Sequence, residues 1–187
     1  MMQRVLPAAL ALVLIAQPAA FAHAVDEYVQ RTVVSLNAGQ MQIAMRLVPG
    51  VEVLDDLLQR IDADADGVLS GTEQRAYAQR VLGDITLQID GQPVEPVLLD
   101  FDYPSIERLR EGLGEIRLAF NASVRRAGKS HEFVLDNHHE PRISAYLANV
   151  SVAPGSTIHV TAQTRNRDQS SYRVAYTIEQ ATAMIAP

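Results

Sequence analysis

The chain has no cysteine and no tryptophan, and only four phenylalanines and six tyrosines among its 187 residues. Without cysteine there are no disulfides and no thiolate ligands, so the core and any bound metal must hold the fold, and metal binding must use oxygen or nitrogen. Beyond the first 22 residues no apolar run approaches the roughly 20 residues that a membrane-crossing helix needs. Basic residues are in the minority, 16 against 22 acidic, for a net charge of −6. Such a surface attracts cations and does not suit nucleic acid. Also missing are a phosphate-cradling glycine loop, a nucleophile with its base, and an H-E-x-x-H zinc helix; His139-Glu140 lacks the second histidine four residues on. These absences argue against an enzyme. There is no internal repeat and no low-complexity linker, so the chain reads as one domain.

What is present begins with an export signal. Arg4 precedes an apolar stretch from Val5 to Ala16 and a small-residue site at Ala20-Phe21-Ala22. This pattern predicts a secretory signal peptide over residues 1–22. Cleavage there leaves 165 residues beginning at His23; cleavage at the alternative site, Ala22-His23-Ala24, leaves a chain starting at Val25. Removing Arg4 brings the net charge to −7. The expected destination is outside the cytoplasm, most simply a bacterial periplasm, with no transmembrane segment left after cleavage.

Residues 62 to 73 read Asp-Ala-Asp-Ala-Asp-Gly-Val-Leu-Ser-Gly-Thr-Glu. Calcium is a hard cation that takes six to eight oxygens, so a loop that binds it presents carboxylates at alternating positions and folds back to supply a bidentate one. Asp62, Asp64 and Asp66 occupy positions 1, 3 and 5, and Gly67 at position 6 allows the turn. Val68 then offers its backbone carbonyl, Ser70 a hydroxyl or a bound water, and Glu73 closes the site at position 12. Leu69, at position 8, is the apolar residue expected to point into a core. Before the loop, Val53, Leu54, Leu57, Leu58 and Ile61 recur at helical spacing; after it, Ser70 and Glu73 form a capping box ahead of Tyr77, Ala78, Val81 and Leu82. Over about thirty residues the segment resembles an EF-hand helix–loop–helix. That resemblance implies calcium as the bound ion. EF-hands normally pair, and the sequence offers no second loop, so a dissociation constant on the order of 10⁻⁴ to 10⁻³ M is expected for an exported single hand.

Outside the helical pair the dominant period is two. Tyr28 to Leu36 and the alternation of Met41, Ile43, Met45 and Leu47 predict a hairpin. Ile85, Leu87 and Ile89 lead through Asp90-Gly91 into a strand expected from Val94 to Phe101. Further strands are expected around Ile116–Phe120, Glu132–Leu135, Ile143–Val152, Ile158–Ala162 and Tyr172–Ile178. A short helix is expected within Ser105 to Leu113. Eight or nine short strands favour a mainly β fold, an Ig-like β-sandwich over residues 23–180 with a barrel as the alternative, the EF-hand inserted at about 51–83 and a frayed tail at 181–187.

A second metal reading uses nitrogen. His23, as a mature N-terminus, can chelate copper or nickel through its α-amine and imidazole, with His138 and His139 as candidate additional ligands. The segment of His23, Glu27 and Tyr28, followed by a hairpin, the acidic loop with its helices and a strand ending in Asp90-Gly91, is similar to extracytoplasmic domains of bacterial proteins related to nickel/cobalt permeases and hydrogenase/urease-accessory membrane proteins. That similarity implies a periplasmic accessory or sensor domain beside a metal-handling membrane partner. His131 and His159 fall on expected strands and read as packing or surface residues.

Overall fold

The computed structural model describes residues 26–37, 39–124 and 128–179. The expected signal segment 1–22, His23 and the tail 181–187 lie outside the described residues. Ten strands form two five-stranded sheets, with three helices between them in the chain. The first sheet has the order β5 (Val97–Asp102), β6 (Ile116–Ser123), β2 (Gln40–Pro49), β1 (Tyr28–Leu36) and β8 (Ser144–Val152). The second has β4 (Gln92–Val94), β3 (Ile85–Ile89), β7 (Ser130–Asn137), β10 (Ser171–Ile178) and β9 (Ile158–Arg165). All pairs are antiparallel except β1 with β8, which run parallel. The protein is mainly β, and two sheets sharing one core are consistent with a sandwich.

Period-two patterning explains that core. Met41, Ile43, Met45 and Leu47 of β2 are buried while Gln42, Ala44 and Arg46 are exposed. Ile116, Leu118 and Phe120 repeat this on β6. From the other sheet, Leu87, Phe133, Leu135, Tyr172 and Val174 join the same buried cluster, with the Phe133 and Tyr172 rings meeting edge to face. Each such side chain contributes about 1.5–3 kcal/mol by leaving water. A one-residue slip of any of these strands would turn its apolar set outward, so the pattern fixes the register.

One expected element differs. The strand expected from Val94 to Phe101 is two strands: Glu95-Pro96 interrupts it, β4 staying with β3 while β5 joins the opposite sheet beside β6. Pro96 has no N–H to continue a ladder, so the chain changes sheet there. The short helix expected within Ser105–Leu113 is α3 (Ile106–Arg110), followed by Gly112 at a positive φ of 68°.

The remaining helices, α1 (Val51–Ile61) and α2 (Gly71–Gly83), carry the chain from β2 in the first sheet to β3 in the second. Leu54, Leu57, Leu58 and Ile61 bury one face of α1, and Tyr77, Ala78 and Val81 bury one face of α2, which packs against β5. No helix among the described residues is long and apolar enough to cross a membrane.

Candidate metal centre

The segment between α1 and α2 turns back on itself through two residues in the left-handed region, Ala65 at φ 57° and Gly67 at φ 81°. Such a conformation suits glycine and strains alanine. Short acidic side chains stabilise the reversal by accepting from the backbone just ahead of them. Asp62 Oδ2 accepts from Gly67 N at 3.1 Å, Asp64 Oδ1 from Asp66 N at 3.3 Å, and Asp66 Oδ1 from Val68 N at 2.7 Å. The consequence is convergence. Carboxylate oxygens of Asp62, Asp64 and Asp66 lie within 4.8 Å of one another, and among the described residues this is the group that could hold a metal ion.

The fit to a cation shows in one atom. Asp62 Oδ1 is buried and has no hydrogen-bond partner, although its sister oxygen is bonded. A carboxylate oxygen withdrawn from water without a donor is costly unless a cation faces it. Three hard oxygen donors of this kind suit calcium or magnesium better than a soft metal.

Glu73 stands at the mouth of the loop, outside the three-aspartate group. Its Oε1 accepts from Ala63 N at 2.7 Å, and its Oε2 accepts from Ser70 N at 2.8 Å and from the Ser70 hydroxyl at 2.7 Å. Ser70 Oγ in turn accepts from Glu73 N, which completes the expected capping box at the start of α2. The Ser70 hydroxyl and backbone, followed by the Ala63 backbone, hold the Glu73 carboxyl below its ordinary 4.5. Glu73 thus ties the second residue of the loop to the helix that follows it. Val68 exposes its side chain, and Leu69 is buried as expected, with its carbonyl accepting from Gln74 Nε2 at 2.7 Å.

The histidines behave differently from the nitrogen-ligand reading. His139 is fully buried, with Nδ1 2.8 Å from Asp84 Oδ2 and Nε2 2.8 Å from the Tyr77 hydroxyl. Both ring nitrogens are therefore engaged within the protein, and neither is free to coordinate. His138 is exposed, and His159 faces Glu179 on the surface. His131 is buried on β7 with Nδ1 2.8 Å from Asp90 Oδ2, so it packs and anchors the β3–β4 turn.

What the sequence reading missed is the structure around His139. Its carbonyl accepts from Gln30 Nε2, the Ser144 hydroxyl and the Tyr146 hydroxyl, and its amide donates to Asn137 Oδ1. Tyr77 OH also lies 3.0 Å from Tyr28 OH. The polar triplet His138-His139-Glu140, just past an expected strand, gave no signal that His139 would become a buried node, because every partner but Asn137 and the nearby Ser144 and Tyr146 is distant in the chain. No family model, curated protein or solved structure matches the chain. The reading of the site therefore rests on its own residues.

Proposed function

We propose that the protein is an exported, most simply periplasmic, calcium-binding module in which residues 62–73 form the loop of a single EF-hand inserted in an Ig-like β-sandwich. The observation that carries the reading is the convergence of Asp62, Asp64 and Asp66 with an unpartnered buried oxygen on Asp62. Asp62, Asp64, Asp66, the Val68 carbonyl, Ser70 and Glu73 would hold the ion. Bound calcium would supply charge neutralisation to carboxylates that otherwise repel one another, and so it would stiffen the junction between α1 and α2. Its use is structural or partner-modulating, with a membrane-protein partner the natural candidate. The copper or nickel alternative has no geometric support from His139, whose nitrogens are both bonded internally.

Calorimetric titration of the chelator-stripped protein tests the reading. One calcium should bind with a dissociation constant on the order of 10⁻⁴ to 10⁻³ M. At about 10 mM calcium such a site raises stability by about 1.4–2.7 kcal/mol through mass action. Glu73→Gln should abolish most of the binding and the stabilisation together while the strands stay folded. Unchanged affinity in that variant would remove Glu73 from the site, and no binding by the parent protein would end the calcium assignment.

A further inference from the structure

The two helices that flank the acidic loop are fastened to the same short turn between β7 and β8. From α1, Arg60 pairs with Glu140. From α2, Tyr77 bonds His139 Nε2, Asp84 bonds His139 Nδ1, and the Asp84 carbonyl accepts from His138 N at 2.9 Å. Tyr28 of β1 continues the chain beyond Tyr77, and Gln30 of β1 holds the His139 carbonyl. One imidazole thus sits where the helical pair, the first sheet and the second sheet meet.

The chemistry of that chain gives it a direction. An ionised Asp84 accepts only, so Nδ1 carries the proton and neutral Nε2 must accept from the Tyr77 hydroxyl. Tyr77 oxygen then accepts from the Tyr28 hydroxyl, and every hydrogen has a partner. A proton added to His139 turns Nε2 into a donor. Tyr77 must then accept from it, and whichever way the Tyr77–Tyr28 pair is turned, one of their two hydroxyl hydrogens is left buried without an acceptor.

We propose that the Tyr28–Tyr77–His139–Asp84 chain is a proton-sensitive interlock between the sheets and the metal loop, so that protonating His139 loosens α2 and weakens cation binding at Glu73, four residues before Tyr77. The proposal rests on the calcium reading above. Burial lowers the His139 pKa below the ordinary 6.5, outweighing the Asp84 carboxylate, which raises it. The charged and titratable groups around the imidazole are Tyr77 and Arg80 from α2, Asp84 at its C-terminal cap, Tyr28 from β1, Tyr146 from β8 and Glu140 beside it, with Arg60 of α1 paired to Glu140. The sign follows. The unfolded chain takes up a proton at His139 below about pH 6.5 before the folded protein does, so stability falls as pH drops below that value and levels off below the folded pKa. By reciprocity, calcium binding disfavours the protonated imidazole.

Two measurements test this. In the calcium-free protein, nitrogen–proton correlation spectra should place the neutral His139 proton on Nδ1, with a titration midpoint below 6.5. The Nε2 tautomer, or a midpoint at or above that value, overturns the interlock whatever calcium does. Calcium titrations at about pH 7.5 and at about one pH unit below the measured His139 midpoint should then show affinity falling about 5-fold or more in the parent protein, the low end of coupling between sites. In His139→Gln the fall should shrink to what the loop carboxylates alone produce. Asp84→Asn keeps an acceptor for Nδ1 but removes the charge that favours the imidazolium, so the fall should move to lower pH; this variant carries the test if His139→Gln does not fold. The same pH response in all three proteins overturns the coupling while leaving calcium binding intact. Absence of calcium binding at pH 7.5 instead sinks the calcium reading and the coupling built on it, leaving the tautomer result to stand alone.

Discussion

The acidic loop and the His139 node are both dense in polar groups, yet they satisfy them in opposite ways. Hydrogen bonds of the loop join residues 2 to 10 apart in sequence and lie at the surface. Those linking Tyr28, Tyr77, Gln30 and Asp84 to His139 or to one another span 49 to 109 residues and lie inside. The difference teaches which region is local and which is global. A locally bonded loop can rearrange without unfolding the sheets, its link to them running through α2, whereas a node assembled from distant elements exists only when the whole fold does. The loop carboxylates bring their oxygens together near the surface, with one Asp62 oxygen buried and unpartnered, whereas the node pairs its buried polar groups with one another.

The largest expected effect breaks the node. Tyr77 is almost fully buried, and its hydroxyl joins Tyr28 and His139. Truncating Tyr77→Ala removes an aromatic ring and strands His139 Nε2, which should cost about 3–5 kcal/mol of global stability in denaturant unfolding. A loss under about 1 kcal/mol would mean that the node is as local as the loop, and the contrast between them would fail.

A smaller effect should fall on the loop alone. Gly67→Ala places a Cβ at φ 81°, where nothing lies within 4 Å of it, so the cost is backbone strain of about 1–2 kcal/mol without a clash. Because the loop opens locally, this strain should appear mainly as weaker calcium binding, about 5- to 30-fold, by the factor of ten that each 1.4 kcal/mol represents. Calorimetry reads the affinity, and urea unfolding of the calcium-free variant checks that the sheets barely change. An equal loss of global stability in both variants would show that the loop is part of the cooperative core.

The same local-versus-global division decides what could be read from the residues. The acidic loop is legible because spacing alone carries it: Asp62, Asp64, Asp66, Gly67 and Glu73 act on neighbours in the chain, and the Ser70–Glu73 capping box formed as expected. Strands β1, β2 and β3 are legible because burial alternates along each of them. The crossing at Pro96 was missed since Val94 and Val97 to Phe101 read as one apolar run, and only pairing with β3 or β6 separates them. His139 was illegible for a stronger reason. Nothing near it in sequence announces Tyr77, Asp84 or Gln30, and the same triplet, exposed, would have served equally well as a polar turn.

The smallest effect separates backbone from side chain within the loop itself. Val68 is 63% exposed, and its amide donates to Asp66 Oδ1. As the seventh loop residue it would contribute a carbonyl to the ion, and every amino acid has one. Val68→Ser should therefore leave calcium affinity unchanged and shift stability by no more than about 0.5 kcal/mol, as for an ordinary surface position. Asp66, one residue before Gly67, offers its carboxylate instead, and no uncharged substitution there can preserve that. If Val68→Ser weakened binding as Glu73→Gln should, the ion would be recognised through the side-chain packing of the loop rather than through its oxygens. The alternating carboxylates would then be a turn-forming device, and the contrast between a local metal loop and a global polar node would have to be redrawn with both regions on the structural side.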